Sequence, residues 1–117
     1  MSADTEATVR EYYTLVDAGD YEALVDLFAE DVRYERPGQG VITGRDQLRR
    51  FYHEERPLEN GAHEVHDVVA TDDRAAVRGR FTGELDGEAV AFGFADFHEF
   101  AEGQIVRRYT FTDRDAV

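Results

Sequence analysis

The chain has 117 residues, a formal net charge of −13, and a hydrophobic fraction of 42%. That length supports one domain, residues 1–117, around a single core, and that apolar fraction predicts a folded chain. The absence of cysteine excludes disulfides and thiolate-bound metals, and the acidic balance disfavours nucleic acid and anionic membranes as partners.

Asp4 is placed to cap a first helix. Val9, Tyr12, Tyr13 and Val16 then recur at i, i+3, i+4 and i+7, which predicts an amphipathic helix ending at Gly19. Asp20 can cap a second short helix with Leu24, Leu27 and Phe28 inward. Residues 32–36 read as a strand stopped by Pro37. A third helix is predicted over residues 45–55, with Thr43 and Asp46 as a capping box. Leu48, Phe51 and Tyr52 form its apolar stripe, and Pro57 blocks its continuation.

The rest of the chain reads as strands over residues 63–71, 74–84, 88–100 and 104–112. The joints Asp72-Asp73, Asp86-Gly87 and Glu102-Gly103 are short, and Asp-Gly is a strong hairpin signal because type I′ turns need positive φ at both central residues. Successive tight hairpins make an antiparallel meander. The order α-α-β-α-β-β-β-β implies an α+β fold with helices on one face of a bent sheet.

Strand parity then sorts the polar residues. Val32, Tyr34 and Arg36 share one face, Arg33 and Glu35 the other; the first set carries the apolar residues and is expected inside, unless a bulge near Pro37 reverses it. Phe92, Phe94, Asp96, His98 and Phe100 share a second aromatic face. Arg107 and Arg108 are consecutive, so one faces the interior or a dimer surface and the other water. His63 and His66 fall on opposite faces of their strand, so no metal site is expected there. The "PGQG" stretch lacks the βαβ context and the lysine of a phosphate loop.

The stretch "YYTLVDAGDYEALVDLFAEDVRYERPGQG", followed by "GRDQLRRFY", resembles the nuclear-transport-factor-2-like (NTF2-like) superfamily, in particular its ketosteroid isomerase-like and SnoaL-like branches. "ADFHEFAEGQIVRRYTF" is similar to the family's last hairpin, so the resemblance covers nearly the whole chain. It implies a cone in which a curved sheet wraps the first helix around an apolar small-molecule cavity, and a homodimer through the sheet. Matched residue by residue, the resemblance puts the isomerase's oxyanion tyrosine on Tyr12, its supporting tyrosine on Tyr52 and its protonated aspartic acid on Asp96. The catalytic base falls on Arg36, or on Glu35 if the shorter intervening loop shifts the match by one.

An arginine at that position changes the chemistry. Guanidinium offers no acceptor and stays charged, so it cannot take a proton from carbon, and it would ionise a carboxylate within about 4–6 Å. The resemblance therefore does not imply ketosteroid isomerisation. Two classes of function stay open. One is a cofactor-free enzyme of isomerase, cyclase or hydrolase type on a small apolar compound bearing a carbonyl or epoxide. Its catalytic set would be Asp96, Tyr12, Arg36 and His98, within walls of Tyr52, Tyr34, Phe92 and Phe94. The other is a non-catalytic binding or dimerisation module holding a small acidic ligand at Arg36. In that reading Arg36 and Asp96 could also pair directly and simply close the pocket. No metal or cofactor is expected in either.

The N-terminus, "MSADTEATVR", carries acids in place of a basic then apolar stretch, and no apolar run approaches the roughly 20 residues that span a bilayer; a cytoplasmic protein is expected. All 13 basic residues are arginine and lysine is absent. Self-repulsion at this charge costs stability, a cost that molar salt screens at a Debye length of about 3 Å. This pattern points to a salt-rich cytoplasm, with an ordinary acidic protein lacking lysine by chance or through GC bias as the alternative. If the first holds, the midpoint of thermal unfolding rises between low and molar sodium chloride; a midpoint that stays level or falls rejects it.

Overall fold

The computed structural model describes residues 2–114. Helix α1 (Ser2–Ala18) buries Val9, Tyr12, Tyr13 and Val16, the face the spacing predicts. It starts earlier than expected, so Asp4 lies inside its first turn, where a carboxylate suits the helix dipole, and not at its cap. Gly19 ends it in the left-handed region at φ 75°, a conformation that favours glycine at this position. Asp20 caps α2 (Tyr21–Val25), its side chain accepting from the Ala23 N–H at 3.5 Å.

The second helix is shorter than the sequence suggested. Phe28 opens strand β1 (Phe28–Glu35) because it is held in parallel register with Ile105. A two-residue strand, β2 (Ile42–Thr43), was not expected; it pairs antiparallel with Arg33 and Tyr34. Helix α3 (Arg45–Arg50) runs into a single π-helical stretch, Phe51–Glu55, in place of a uniform α-helix over 45–55. Its entry is fixed by Gln47, whose side chain accepts from the Thr43 N–H and hydroxyl, and not by Asp46.

Strands β3 (Leu58–Ala70), β4 (Arg74–Leu85), β5 (Glu88–Ala101) and β6 (Gln104–Thr112) form the meander. β3 begins five residues before the predicted start. Asp86 and Gly87, and Glu102 and Gly103, all have positive φ, the geometry expected of type I′ hairpins. The sheet order is β2-β1-β6-β5-β4-β3, antiparallel throughout except for the parallel β1–β6 pair. This is an α+β fold with a curved sheet. Helix α1 packs on the inner face over β3 and β4, and the core joins it to Leu48, Phe51, Phe81, Phe92, Phe94 and Ile105.

One irregularity matters for the site. Along β6, Arg107 pairs with Glu99 while Ile105 pairs with Phe100, so two steps of β6 match one of β5. That is a β-bulge at Val106, which reverses the alternation of every later residue in the strand.

Gly79 lies on the inner face of β4 between Val77 and Phe81. A β-carbon there would fall on the Glu64 carbonyl oxygen and lie 2.8 Å from the Phe94 ring. Backbone oxygen cannot swing aside, so the close approach of β3 and Phe94 here depends on this position having no side chain. Gly79→Ala is expected to lower the unfolding free energy in urea by about 1–3 kcal/mol or more; an unchanged midpoint would show that the sheet relaxes around the methyl.

Candidate functional site

Alternation along β1 carries Val32, Tyr34 and Arg36 inward, while Glu35 turns out to meet Arg33 at 3.4 Å. Arg36 is 8% exposed. Its guanidinium sits 4.9 Å from the Phe51 ring centre, and Nη1 donates to the Tyr34 hydroxyl at 3.0 Å. Tyr34 Oη lies 2.8 Å from Thr110 Oγ1, and Thr110 donates to Asp96 Oδ1 at 2.6 Å. Thr110 has one proton and spends it on the carboxylate, so Tyr34 must donate to Thr110. Arg36 and Asp96 are therefore linked through two hydroxyls, each passing its proton in the same direction, and not by a direct ion pair.

The direct partner of Asp96 is Arg108. Nη2 meets Oδ2 at 2.9 Å, and both side chains are almost fully buried. Tyr13 donates to the same Oδ2 at 2.5 Å. Burial pushes the Asp96 carboxyl up, but Arg108 above all, with His98, Thr110 and Tyr13, outweighs it, and the group lies below its ordinary 3.8. Asp96 is thus an anion with three donors on two oxygens. It is not the protonated acid of an oxyanion hole, nor has it a proton to give.

Arg108 is sandwiched, its guanidinium carbon 4.2 Å from the Tyr12 ring centre and 4.6 Å from that of Tyr34. Nη2 serves Asp96, while Nε and Nη1 are buried without a hydrogen-bond partner among the described residues. Burial, the largest influence, disfavours its charge, but the Asp96 carboxylate together with Tyr12, Tyr34 and Tyr52 outweighs it and keeps the group protonated.

The tyrosines fall into two sets. Tyr12 and Tyr52 hydrogen-bond to each other at 2.5 Å, and burial raises both, so each stays neutral. The hydroxyl that reaches Asp96 belongs to Tyr13. His98 is 1% exposed, with Nε2 at 3.5 Å from the Tyr13 hydroxyl and Nδ1 unpartnered. Burial and Arg108 lower it to about 3 against the pull of Asp96, so it is neutral at ordinary pH.

These groups border a narrow cleft whose own volume is only about 20 Å³, the rest of the space at its mouth being open to solvent. Of the residues singled out from the sequence, Tyr12, Tyr34, Arg36, Phe92, Phe94 and Asp96 line it. Tyr52 and His98 lie behind that wall. Arg56, His63, Arg108 and Thr110 line it too and were not in the expected set. Among the described residues no group of three or more His, Asp or Glu side chains could hold a metal.

The family model of the SnoaL-like domain matches residues 9–108. A protein of Burkholderia pseudomallei, described as NTF2-like and of unknown function, superposes with a TM-score of 0.85 over 97% of this chain and 92% of its own, at 21% identity. An epoxide hydrolase of the LEH-like kind from M. tuberculosis superposes at 0.84 over 96% and 84%, at 14% identity. Both likenesses are of fold. The orange carotenoid-binding protein of Limnospira maxima is 39% identical over 51 residues, which is 44% of this chain but only 16% of that longer protein.

The buried network sets an acid limb. The Asp96 carboxyl is depressed in the fold, so its contribution is complete above pH 3.8 and is lost as pH falls through the folded value. His98 resists protonation when folded, so the unfolded chain binds the extra proton and stability falls as pH drops from 6.5 toward about 3. Urea midpoints of the wild type should decline through that second window, and His98→Phe should flatten the decline. Asp96→Ala, which leaves Arg108 buried and unpaired, should cost about 3–5 kcal/mol at neutral pH. Equal midpoints for the alanine variant and the wild type would refute the network.

Proposed function

Since the chain belongs to the SnoaL-like domain family, we propose that its cavity is a binding pocket for a small, compact acid with an apolar body. The observation that carries this reading is Arg108, a buried cation at the cavity wall with two N–H-bearing nitrogens left without acceptors. An unmet buried donor costs about 1–3 kcal/mol, and an entering carboxylate would supply the missing acceptor. Arg56, on the same wall, also has a buried Nε without a partner. Phe81, Phe92 and Phe94 offer the apolar surface. In a chain of net charge −13, a wall of arginine facing one committed carboxylate is a local reversal of sign, and such a reversal attracts anions.

Ketosteroid isomerisation is not part of this reading. The position of that enzyme's base holds Arg36, which has no acceptor, and Asp96 is ionised, with three donors on its oxygens. The general-acid role that the family resemblance suggests for Asp96 needs a proton that the ionised carboxylate does not carry.

Benzoate and benzyl alcohol differ in charge and little in size, so calorimetric titration with each separates charge recognition from apolar burial. Benzoate is expected to bind at least about tenfold more tightly. Arg56→Met, at a half-buried residue that the fold can spare, should weaken benzoate by about 10- to 100-fold, the loss of one charged hydrogen bond of about 1.5–3 kcal/mol. Equal affinity for the alcohol, or no binding of either, rejects the proposal.

A further inference from the structure

One polar pair in the cleft is unused by the Asp96 network. His63 on β3 lines the cavity, and its Nδ1 lies 2.6 Å from Oδ1 of Asp17 in the last turn of α1. The His63 backbone N–H donates to the other oxygen, Oδ2, at 2.8 Å. The carboxylate is thereby held at both oxygens and the ring at one nitrogen. The imidazole is 10% exposed and packs against Phe81, Tyr13 and Phe94, with ring centres 4.9, 5.3 and 5.3 Å away.

That geometry selects a tautomer. A carboxylate accepts at Nδ1, so the ring proton sits there and the lone pair is left on Nε2. No protein hydrogen bond to Nε2 is found among the described residues. Four influences decide whether the ring charges. Burial lowers its affinity for a proton and is the largest; the bond and charge of Asp17 raise it, Arg56 lowers it, and Asp96 raises it. The balance falls below the ordinary 6.5, so the ring is neutral at neutral pH and able to accept.

We propose that His63, oriented by Asp17, is the general base of the cleft, acting on a small 2-oxo acid whose carboxylate is held by the arginines. The proposal rests on the acid-binding reading above and adds chemistry to it. His63 Nε2 takes a proton from the carbon beside the ketone, and the C–H pair moves to form a C=C bond as the carbonyl pair moves onto oxygen. The resulting enolate lies against guanidinium donors, and the imidazolium against Asp17. The proton then returns from Nε2, to the enolate oxygen to give the enol or to carbon to regenerate the ketone. Nothing is oxidised and no second reactant is consumed. Asp17 is a positioning residue that does not touch the substrate. Asp96, paired with Arg108 and held below the ordinary carboxyl range, is a weak base, and His98 lies behind the wall.

Two measurements decide it. Long-range nitrogen–proton correlation spectra of the wild type read the tautomer directly. The expected result is a proton on Nδ1 at neutral pH and a titration midpoint below 6.5, with Asp17→Asn moving the midpoint lower still. A proton on Nε2, or a charged ring at neutral pH, overturns the proposal without any variant. Second, loss of the C3 proton signal of phenylpyruvate in heavy water follows the chemistry. The wild type should exceed His63→Gln by at least about a hundredfold, the lower end for a general base. Asp17→Asn should fall between them, with a shifted pH profile that a merely structural residue would not produce. Equal exchange in wild type and His63→Gln, with benzoate binding retained, overturns this inference alone. Absence of benzoate binding with exchange that still depends on His63 overturns the binding reading and the arginine-held carboxylate, and leaves only the role of His63 as base.

Discussion

The interior is organised by one ion pair. Arg108 and Asp96 meet on neighbouring strands with both side chains almost fully buried, and neither charge is tolerable there alone. Each therefore recruits the groups around it. Asp96 takes the hydroxyls of Tyr13 from α1 and Thr110 from β6. Arg108 takes the faces of Tyr12 and Tyr34, where a flat, weakly hydrated guanidinium gains from ring π-electrons in a way an ammonium would not. Helix, first strand and last two strands are tied at one point, and the walls of the cleft are the same residues.

That arrangement reassigns roles within a familiar frame. The family resemblance directs attention to Tyr12, Asp96 and the end of β1, and all three do border the cavity. With arginine at position 36 and a second arginine inside the sheet, however, the site has changed sign. A carboxyl that would have to be neutral to donate is instead held charged, and the tyrosine beside it on the helix is bound to Tyr52. What survives is a cleft lined by Arg36, Arg56 and Arg108, with His63 and its Asp17 partner also at its border.

How much of this could be read from the chain depended on whether the pattern was local. The five-residue alternation from Phe92 to Phe100 is an unbroken period of two, and it placed Asp96 and His98 inside. The same rule placed Arg36. It fails for Arg108: counted from Ile105, strict alternation puts Arg107 inside, and only the bulge at Val106, which depends on pairing with β5, brings Arg108 in instead. Tyr12 and Tyr13 are adjacent on a helix and both belong to its buried face, so spacing could not say which reaches the carboxylate. Phe28 looked helical by its apolar spacing and became a strand because Ile105 fixes it from the far end of the chain. Asp17 and His63 are 46 residues apart and carry no shared motif; only folding α1 onto β3 makes them a pair.

The row of hydroxyls from Arg36 through Tyr34 and Thr110 to Asp96 has a polarity with a selective effect. Every proton in it is already promised inward, so neither alcohol can greet a visiting molecule as a donor. The donors left facing the cleft are guanidinium groups, while acceptors remain on Asp96, Thr110 and the His63 imidazole.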